Sequence, residues 1–247
     1  DILPATLSNV GVGVYGKYRL PSTSFGYELY LSNGFDGRII DNEFGRTRLA
    51  SVKDNPDRFA ENPTSVPLVT GKIATRNTLG EFGISTMIGL YTPQLEEGLI
   101  VDTERWLYVV CVDFAVDVNS MWPKVNGEIA FASVEIPAGL VPLYGSRQIG
   151  GFMDIVQDVA NLHALGFENA RLSVAIRLEY VDWNFGNDAQ TGMPIGDEQR
   201  SLGLSLALRP SELTVIRSNY TLRKATDLLR NDLGIVTVFS LGISTYF

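Results

Sequence analysis

The fold of this chain is decided by its last segment, which reads Gly234-Ile235-Val236-Thr237-Val238-Phe239-Ser240-Leu241-Gly242-Ile243-Ser244-Thr245-Tyr246-Phe247. Counting back from Phe247 in twos gives Thr245, Ile243, Leu241 and Phe239. The residues between them are mostly small or polar, namely Tyr246, Ser244, Gly242, Ser240 and Val238. A period of two with one apolar face, ending on an aromatic residue, predicts the closing strand of a transmembrane β-barrel.

The same alternation recurs along the rest of the chain, so that the sequence predicts eleven strands. It is clearest between residues 170 and 183, where Leu172, Val174, Ile176, Leu178 and Tyr180 alternate with Arg171, Ser173, Ala175, Arg177 and Glu179. Periodicity alone does not say whether the apolar face meets lipid or a protein core. The predicted strands are 9–19, 25–34, 67–76, 80–92, 104–118, 123–136, 148–158, 170–183, 200–209, 212–224 and 233–247.

The connections largely alternate between short and long, which is typical of the periplasmic turns and extracellular loops of outer-membrane barrels. The short ones are 21–24, 77–79, 119–121 and 210–211, and the long ones are 35–66, 93–103, 137–147, 184–199 and 225–232. Residues 158–169 depart from this rule, and a short helical segment is a candidate at 159–165. Trp106, Trp122 and Trp183 fall at strand ends, where an aromatic girdle would meet lipid headgroups.

Composition excludes several function classes. The formal net charge is −8, which argues against a nucleic-acid partner because phosphate binding needs clustered lysine and arginine. Cys111 is the only cysteine, so neither an intrachain disulfide nor a thiolate metal cluster is expected. No apolar run approaches the roughly 20 residues that a membrane helix needs.

The parity of the strands carries a further expectation. If the short turns and the carboxyl terminus lie in the periplasm, the first strand starts outside the cell, whereas single-chain bacterial barrels have an even strand number. We therefore expect residues 1–247 to form one domain that is the carboxy-terminal part of a larger, even-stranded barrel lacking upstream strands. A native mass near 27.1 kDa, that of the chain itself, would contradict this expectation.

Several phrases of the sequence resemble bacterial outer-membrane porins, in particular uncharacterised porins of Bacteroidetes-type lineages. These phrases are Val10–Gly16, Tyr27–Gly37, Asn126–Ala130, Ala175–Asp182 and the terminal Tyr246-Phe247. The resemblance implies a location in the outer membrane of a Gram-negative bacterium and contact with its lipid and lipopolysaccharide. The chain also bears a more distant likeness to phosphate-selective porins. The lysine-rich constriction that phosphate selectivity would imply is not evident in its sequence.

The charged residues that the alternation assigns to the barrel interior are the candidate pore-lining residues. Such charges either line a water-filled pore that selects solutes or pair with one another and fill a narrow lumen. The later strands contribute five arginines, which would make one wall basic. The predicted set is Glu28, Lys72, Arg76, Asp113, Asp117, Glu128, Arg171, Arg177, Glu179, Arg209, Arg217 and Arg223.

Three other patterns have less support. Gly11-x-Gly13-x-x-Gly16 matches a dinucleotide fingerprint but lies in a strand pattern with no helix after it. His163, the only histidine, would have to serve any histidine-based catalysis, yet it falls in a predicted connection. Two acidic groups in loops, Asp36/Asp41/Glu43 and Asn187/Asp188/Asp197/Glu198, could hold Ca²⁺ but lack EF-hand spacing.

The sequence therefore predicts an outer-membrane porin that lets small hydrophilic solutes or ions diffuse passively, with no reaction, no cofactor and no metal. The loop at 35–66 is a candidate to fold inward and narrow the lumen. The main alternative is a non-conducting structural or adaptor barrel in an envelope protein complex. A barrel enzyme built around His163 and a soluble β-sandwich are further alternatives, and a homo-oligomer is compatible with any barrel.

Overall fold

The structure is a computed structural model, which describes residues 9–40, 45–49, 62, 64–92, 95–96, 99–100, 103–119, 121–137, 140–141, 143–164, 167–188 and 191–245. At residues 95, 96, 99, 100, 163, 164 and 167–169 it describes the backbone alone.

The described residues form an all-β fold. Eleven strands make one antiparallel sheet in which each strand pairs with its neighbours in chain order, while β5 and β6 form a separate small hairpin. One 3₁₀ turn, η1, spans Gly37–Ile39. The strands are β1 (Gly11–Arg19), β2 (Thr23–Ser32), β3 (Leu68–Asn77), β4 (Gly80–Leu90), β5 (Leu95–Glu96), β6 (Leu99–Ile100), β7 (Trp106–Val116), β8 (Lys124–Val134), β9 (Arg147–Ala164), β10 (Phe167–Asp182), β11 (Glu198–Ser211), β12 (Thr214–Thr226) and β13 (Asp232–Thr245).

The sheet confirms the prediction of eleven long antiparallel strands and corrects the segment around residue 160. The helical segment predicted at 159–165 is wrong for residues 159–164, because β9 continues to Ala164 and pairs with β10, while residue 165 lies outside the described residues. Leu172 pairs with Ala160 but Ser173 pairs with Asp158, so that Val159 is the extra residue of a β-bulge. A bulge interrupts the period of two, which explains why the sequence pattern did not read as a strand there.

The connections alternate between two ends of the sheet, as the sequence predicts. At the short-turn end the chain passes from β1 to β2, from β3 to β4, from β7 to β8, from β9 to β10 and from β11 to β12. At the long-loop end it passes from β2 to β3, from β4 to β7, from β8 to β9, from β10 to β11 and from β12 to β13. β9 extends to Ala164 and β10 begins at Phe167, so most of the predicted medium-length connection at 158–169 belongs to these two strands, which meet at the short-turn end.

The two faces of the sheet differ in chemistry because the register keeps the alternation of every strand in phase. One face, the apolar face, carries Ile84 paired with Val112, and Ile176 paired with Leu204. Its side chains are exposed over almost the whole sheet: Val14, Leu29, Ile73, Ile84, Val112, Ile129, Ile176, Leu204, Tyr220 and Leu241. The opposite face, the polar face, carries the predicted interior charges.

The polar face is covered at its long-loop end by a small hydrophobic core. The strap, which we define as residues 35–49 with 35–40 and 45–49 described, places Phe35, Ile39 and Leu49 there with at most 2% of their surface exposed. They belong to one buried cluster with sheet residues of the polar face, namely Leu68, Met87, Leu107, Val109, Ala132, Val134 and Val181. The polar face thus becomes apolar where the strap lies on it.

The sheet is open along two edges in the described residues. β1 pairs only with β2, and β13 pairs only with β12. Because neighbours alternate in direction across eleven strands, β1 and β13 run the same way. Closure into a barrel therefore stays a prediction. No helix among the described residues is long and apolar enough to cross a membrane.

Candidate functional site

All twelve predicted pore-lining residues belong to the polar face of the sheet. Directly paired positions of an antiparallel sheet share a face, and three pairings join two of the predicted residues each. These pairings are Glu28 with Lys72, Asp113 with Glu128, and Arg171 with Arg209. Alternation along β3, β10 and β12 puts Arg76, Arg177, Glu179, Arg217 and Arg223 on the same face, and Asp117 follows β7 and pairs with Lys124 there.

The centre of the polar face holds an ion pair that spans a strand. The Lys72 Nζ on β3 donates to Asp113 Oδ1 on β7 at 3.0 Å, although β4 lies between the two strands. Gly83 on β4 faces Asp113, and the carboxylate lies where a Cβ of this residue would be. The absent side chain leaves the space through which the two charges meet.

A second polar network joins β8, β9 and β10. The Arg177 guanidinium donates to Asp154 Oδ2 at 3.0 Å and to Glu179 Oε1 at 2.6 Å. Asp154 also accepts from Asn126 Nδ2 at 3.2 Å, and the Phe152 ring lies 4.2 Å below the guanidinium carbon. Such a contact stabilises an arginine by roughly 0.5–2 kcal/mol.

Asp154 and Phe152 were missed by the sequence analysis because the register of β9 could not be read from its residues. Phe152 and Met153 compete for the apolar face in the sequence. In the structure Met153 pairs with Leu178 on the apolar face, and Phe152 pairs with Glu179 on the polar face. Asp154 follows Phe152 by two residues and shares its face, so its charge could have assigned Phe152 to the polar face.

Two exposed ion pairs lie toward the short-turn end of the polar face. Arg76 Nη2 lies 2.7 Å from Glu81 Oε2, and Lys124 Nζ lies 2.7 Å from Asp117 Oδ2. Exposed pairs of this kind contribute about 0–1 kcal/mol each. Four of the predicted arginines, by contrast, form no ion pair among the described residues: Arg171, Arg209, Arg217 and Arg223.

The strap is held to the far side of the sheet by polar contacts. Arg46 Nη2 donates to Asp197 Oδ1 at 2.5 Å, and the Arg46 guanidinium carbon lies 4.4 Å from the centre of the Trp183 ring. Gln148 Nε2 on β9 donates to the backbone oxygen of Thr47 at 2.7 Å. Residues of the predicted loop 35–66 therefore do lie on the polar face, over strands that are distant from β2 in the sheet.

Asp197, which binds Arg46 of the strap, is a buried carboxylate. Burial raises the pKa of Asp197, the Arg46 guanidinium beside it lowers the pKa, and the Asp227 carboxylate raises it again. The net direction is upward, which means that burial outweighs the attraction of Arg46.

The tryptophans do not all occupy the predicted girdle positions. Trp106 at the start of β7 lies on the apolar face, stacked 6.0 Å from Tyr108. Trp122 is exposed in the turn before β8. Trp183 instead packs under Arg46 against the core below the strap, so its assignment to a lipid-facing girdle is wrong.

The weaker candidates gain no support from the geometry. Gly11, Gly13 and Gly16 lie in β1, where Gly13 and Gly16 are covered by tyrosine rings of β2 and no helix follows. The backbone of His163 belongs to β9, and its side chain lies outside the described residues.

The described members of the two acidic groups do not form a cation site with one another. Asp41 and Glu43 lie outside the described residues, while Asp36 accepts from the backbone nitrogen of Arg38 at 3.0 Å. Of the second group, Asp197 pairs with Arg46 and Asp188 accepts from the backbone nitrogen of Thr191. Within the part of the chain that the structure describes, no three metal-ligating side chains converge.

Comparison with known proteins gives no relatives. No protein-family model, curated protein or solved structure matches this chain.

Proposed function

We propose that this protein is a porin of the bacterial outer membrane, in which the sheet curves into a transmembrane barrel with its apolar face toward lipid. Small hydrophilic solutes or ions pass down their gradients along the polar face. Lipid and lipopolysaccharide surround the protein, which transports solutes and carries out no chemical reaction.

The observation that carries the proposal is the exposure of the apolar face. Ile73, Ile84 and Ile129 are 68%, 59% and 58% exposed, in the middle of strands whose other face carries ion pairs. Soluble monomers rarely expose a contiguous apolar patch larger than a few hundred Å². A β-sheet with apolar residues outside and charges inside is the arrangement that lipid requires.

Strand length supports the same proposal. A strand tilted in a bilayer needs about 9–11 residues to cross the hydrocarbon region. β4, β7 and β8 have 11 residues each, and β1, the shortest of the eleven, has 9. A purely antiparallel barrel needs an odd number of further strands between β1 and β13, whichever chain supplies them, because those two strands are parallel to each other.

The test is single-channel recording of the native protein in a planar bilayer under a salt gradient. Stable conductance steps are expected, with a reversal potential that shifts toward cation preference in Arg217→Glu. The matched control is Arg200→Glu, because Arg200 pairs with Tyr180 and Lys224 on the apolar side of the sheet and should leave the reversal potential unchanged. A silent bilayer from folded protein would contradict the proposal.

A structural, non-conducting barrel is the second candidate, and the strap is the observation that favours it. Phe35, Ile39 and Leu49 fill the long-loop end of the polar face, and the ion pairs of Lys72 and Arg177 fill part of its centre. A barrel closed by these contacts would serve as an envelope scaffold. The same recording separates the two, since the scaffold gives no conductance even when Arg46 or Asp197 is replaced to loosen the strap.

A further inference from the structure

Two basic residues lie on the apolar face of the sheet, at its long-loop end. Arg200 is the third residue of β11 and Lys224 is the third from the end of β12, and the two are directly paired. Two residues further into each strand, Leu202 and Leu222 are paired on the same face. A row of positive charge therefore borders a row of leucines.

The other end of the same strands has a different character. At the short-turn end the apolar face of β11, β12 and β13 carries Leu208, Ile216 and Ile243, which are paired in turn across the three strands. Within these strands, the charges of the apolar face are confined to the long-loop end. This is the order of an acyl chain followed by a charged headgroup.

A groove of about 250 Å³ joins the charged row to the apolar surface. Ile235 of β13, which pairs with Lys224, extends the apolar floor of the groove to the edge of the sheet. A ligand that fills this groove needs an anionic group at one end and hydrocarbon at the other. The groove residues that lie on the apolar face are Arg200, Leu202, Leu222, Lys224 and Ile235.

Both basic side chains have donors to offer a ligand, although each also contacts a carboxylate. Arg200 contacts Glu198 through Nη2, 3.2 Å from Oε2, and Lys224 Nζ lies 2.6 Å from Asp232 Oδ2. Arginine carries five N–H donors and lysine three, so these contacts use only some of them. The side chains of Arg200 and Lys224 are 68% and 55% exposed. Exposed ion pairs are weak, so an incoming anion can compete with the carboxylates.

An aromatic residue completes the charged row. Tyr180 on β10 is directly opposite Arg200, and the guanidinium carbon lies 5.6 Å from the centre of its ring. The Tyr180 hydroxyl donates to Glu198 Oε2 at 3.1 Å. Tyrosine is enriched where the hydrocarbon of a membrane meets its headgroups. The row of Tyr180, Arg200 and Lys224 therefore has the composition of that boundary.

We propose that Arg200 and Lys224 bind a phosphate group of lipopolysaccharide, whose acyl chains lie along the apolar floor of the groove. The proposal rests on the proposed function, because it requires the apolar face to meet the lipid of an outer membrane. The long loops of such a barrel face the cell exterior, where lipopolysaccharide is the surrounding lipid. The planar fork of an arginine matches the oxygens of a phosphate group, and the neighbouring lysine adds a second positive charge.

The chemistry of the groove favours a lipid over a soluble phosphate. A soluble phosphate would contact the two cations but would leave the apolar floor uncovered, whereas an acylated phosphate contacts both. Like charges directly opposite one another also destabilise a sheet. A bound phosphate between Arg200 and Lys224 relieves that repulsion.

The test is binding of lipopolysaccharide to the full chain in detergent, measured by surface plasmon resonance with the protein immobilised. Arg200→Glu and Lys224→Glu should each weaken binding by about tenfold or more, because one basic residue near an anionic lipid surface accounts for about fivefold and reversal of the charge adds repulsion. Arg217→Glu is the matched control. Arg217 lies on the same strand as Lys224 but on the polar face, so its reversal should leave the affinity unchanged.

Glu198→Gln should change the affinity in the opposite direction. It removes the carboxylate that competes for Arg200, while the glutamine oxygen still accepts from Tyr180, so lipopolysaccharide should bind more tightly. A row that only stabilises the sheet would instead give weaker or unchanged binding in this variant. Circular dichroism and the shift of the band on boiling in a detergent gel verify that each variant folds.

Four results would overturn the site. They are an equal loss of affinity in Arg217→Glu, unchanged affinity for lipopolysaccharide whose phosphate groups have been removed, displacement of lipopolysaccharide by an equal concentration of inorganic phosphate, and equally tight binding of phosphatidylglycerol micelles. The third result would assign the two cations to a soluble phosphate, and the fourth would assign them to anionic lipid in general.

Conductance tests the porin function separately from the lipid site. Arg200→Glu should keep the reversal potential and lose lipopolysaccharide, while Arg217→Glu should shift the reversal potential and keep lipopolysaccharide. A protein that binds lipopolysaccharide through Arg200 but never conducts keeps the site and loses the porin function. A conducting protein whose lipopolysaccharide binding does not depend on Arg200 and Lys224 loses the site alone.

Discussion

Lys72 on β3 and Asp113 on β7 form an ion pair of 3.0 Å that passes over Gly83 of the intervening strand. The pair links strands that share no backbone hydrogen bonds, so it couples their positions on the polar face through side chains alone. It depends on a glycine, because the Asp113 carboxylate occupies the volume that any larger residue at position 83 would need.

The free energy of unfolding of Gly83→Ala should therefore be smaller than that of Gly71→Ala, a matched glycine substitution in the neighbouring strand β3. Replacing glycine by alanine in a compatible strand normally stabilises a protein by about 0.4–1 kcal/mol. That gain is expected for Gly71→Ala, where the nearest atom to the new Cβ is 3.7 Å away. At Gly83 the methyl group displaces Asp113 from Lys72, a partly buried pair that contributes about 0.5–1 kcal/mol. Equal stabilities of the two variants in urea unfolding would show that the pair contributes nothing.

Which residues share a face of the sheet could be predicted from the sequence, because alternate residues of a strand lie on opposite faces. Arg171 and Arg209 lie on one face, and so do Ile176 and Leu204 on the other, as soon as each strand is in phase with its neighbour. A register shift between Leu208 and Ser211 breaks the phase of β11 and β12 only beside their turn, so that the pairs from Gln199 to Leu208 stay in phase. The ion pair between Lys72 and Asp113, in contrast, could not be predicted. It depends on Gly83 lying between the two residues, and the alternation of the sequence does not show which residues of neighbouring strands are opposite one another.

Arg46→Met should destabilise the strap far more than Asp197→Asn does. The side chain of Asp197 is 6% exposed and that of Arg46 is 38% exposed. Removing arginine leaves a buried carboxylate without its partner, at a cost of about 2 kcal/mol once the partial exposure of the pair is taken into account. Asparagine at 197 still accepts a hydrogen bond and tolerates the positive φ of 79°, so less than about 1 kcal/mol is expected there.

The measurement for the strap is chemical unfolding of both single variants and of the double variant. The double variant should recover most of the loss caused by Arg46→Met, because no charge is then left buried. Asp117→Asn is the control, since the Asp117–Lys124 pair is more than half exposed. A loss in Asp197→Asn as large as that in Arg46→Met would contradict the argument from burial.

The raised pKa of Asp197 predicts how stability depends on pH. The folded protein binds the proton of this group more tightly than the unfolded chain does, so its contribution is fully present below the unfolded pKa of about 3.9 and is lost as pH rises through the raised folded pKa. The stability of the wild type relative to Asp197→Asn should thus fall as the pH rises above about 4.

Asp227 provides the control of opposite sign. A hydrogen bond from the Asn231 side chain lowers the pKa of Asp227, so its contribution is present above the unfolded pKa and is lost as pH falls through the folded one. The wild type should therefore lose stability relative to Asp227→Asn upon acidification. The same slope for both carboxylates would contradict the assignment of burial as the dominant cause at Asp197.

Other parts of the site could not be predicted because no local pattern encodes them. Arg46 and Asp197 are 151 positions apart, and both lie outside the alternating strands. Phe152 and Met153 are adjacent large apolar residues, so their faces were ambiguous until pairing with β10 resolved them, and the bulge at Val159 shifts the phase of β9 beyond them. Contacts between loops and the placement of bulges depend on the assembled sheet.

Two adjacent residues of β11 test which face of the sheet meets lipid. Leu204 lies on the apolar face and is 47% exposed, while Ser205 lies on the polar face opposite Asn219 and Ala175. An arginine on the lipid face near the middle of a bilayer costs about 2–4 kcal/mol. Leu204→Arg should therefore lower the free energy of unfolding in lipid vesicles by about that amount.

Ser205→Arg should leave the vesicle-inserted protein folded, because its side chain enters the polar face beside Asn219 and not the hydrocarbon. The same two variants in detergent-free buffer supply the counter-test, since a soluble sheet that buries neither face would tolerate both arginines equally. If Leu204→Arg and Ser205→Arg insert into vesicles equally well and have equal free energies of unfolding there, the apolar face does not lie against lipid. The apolar face would then need a protein partner to cover it, as in the envelope scaffold.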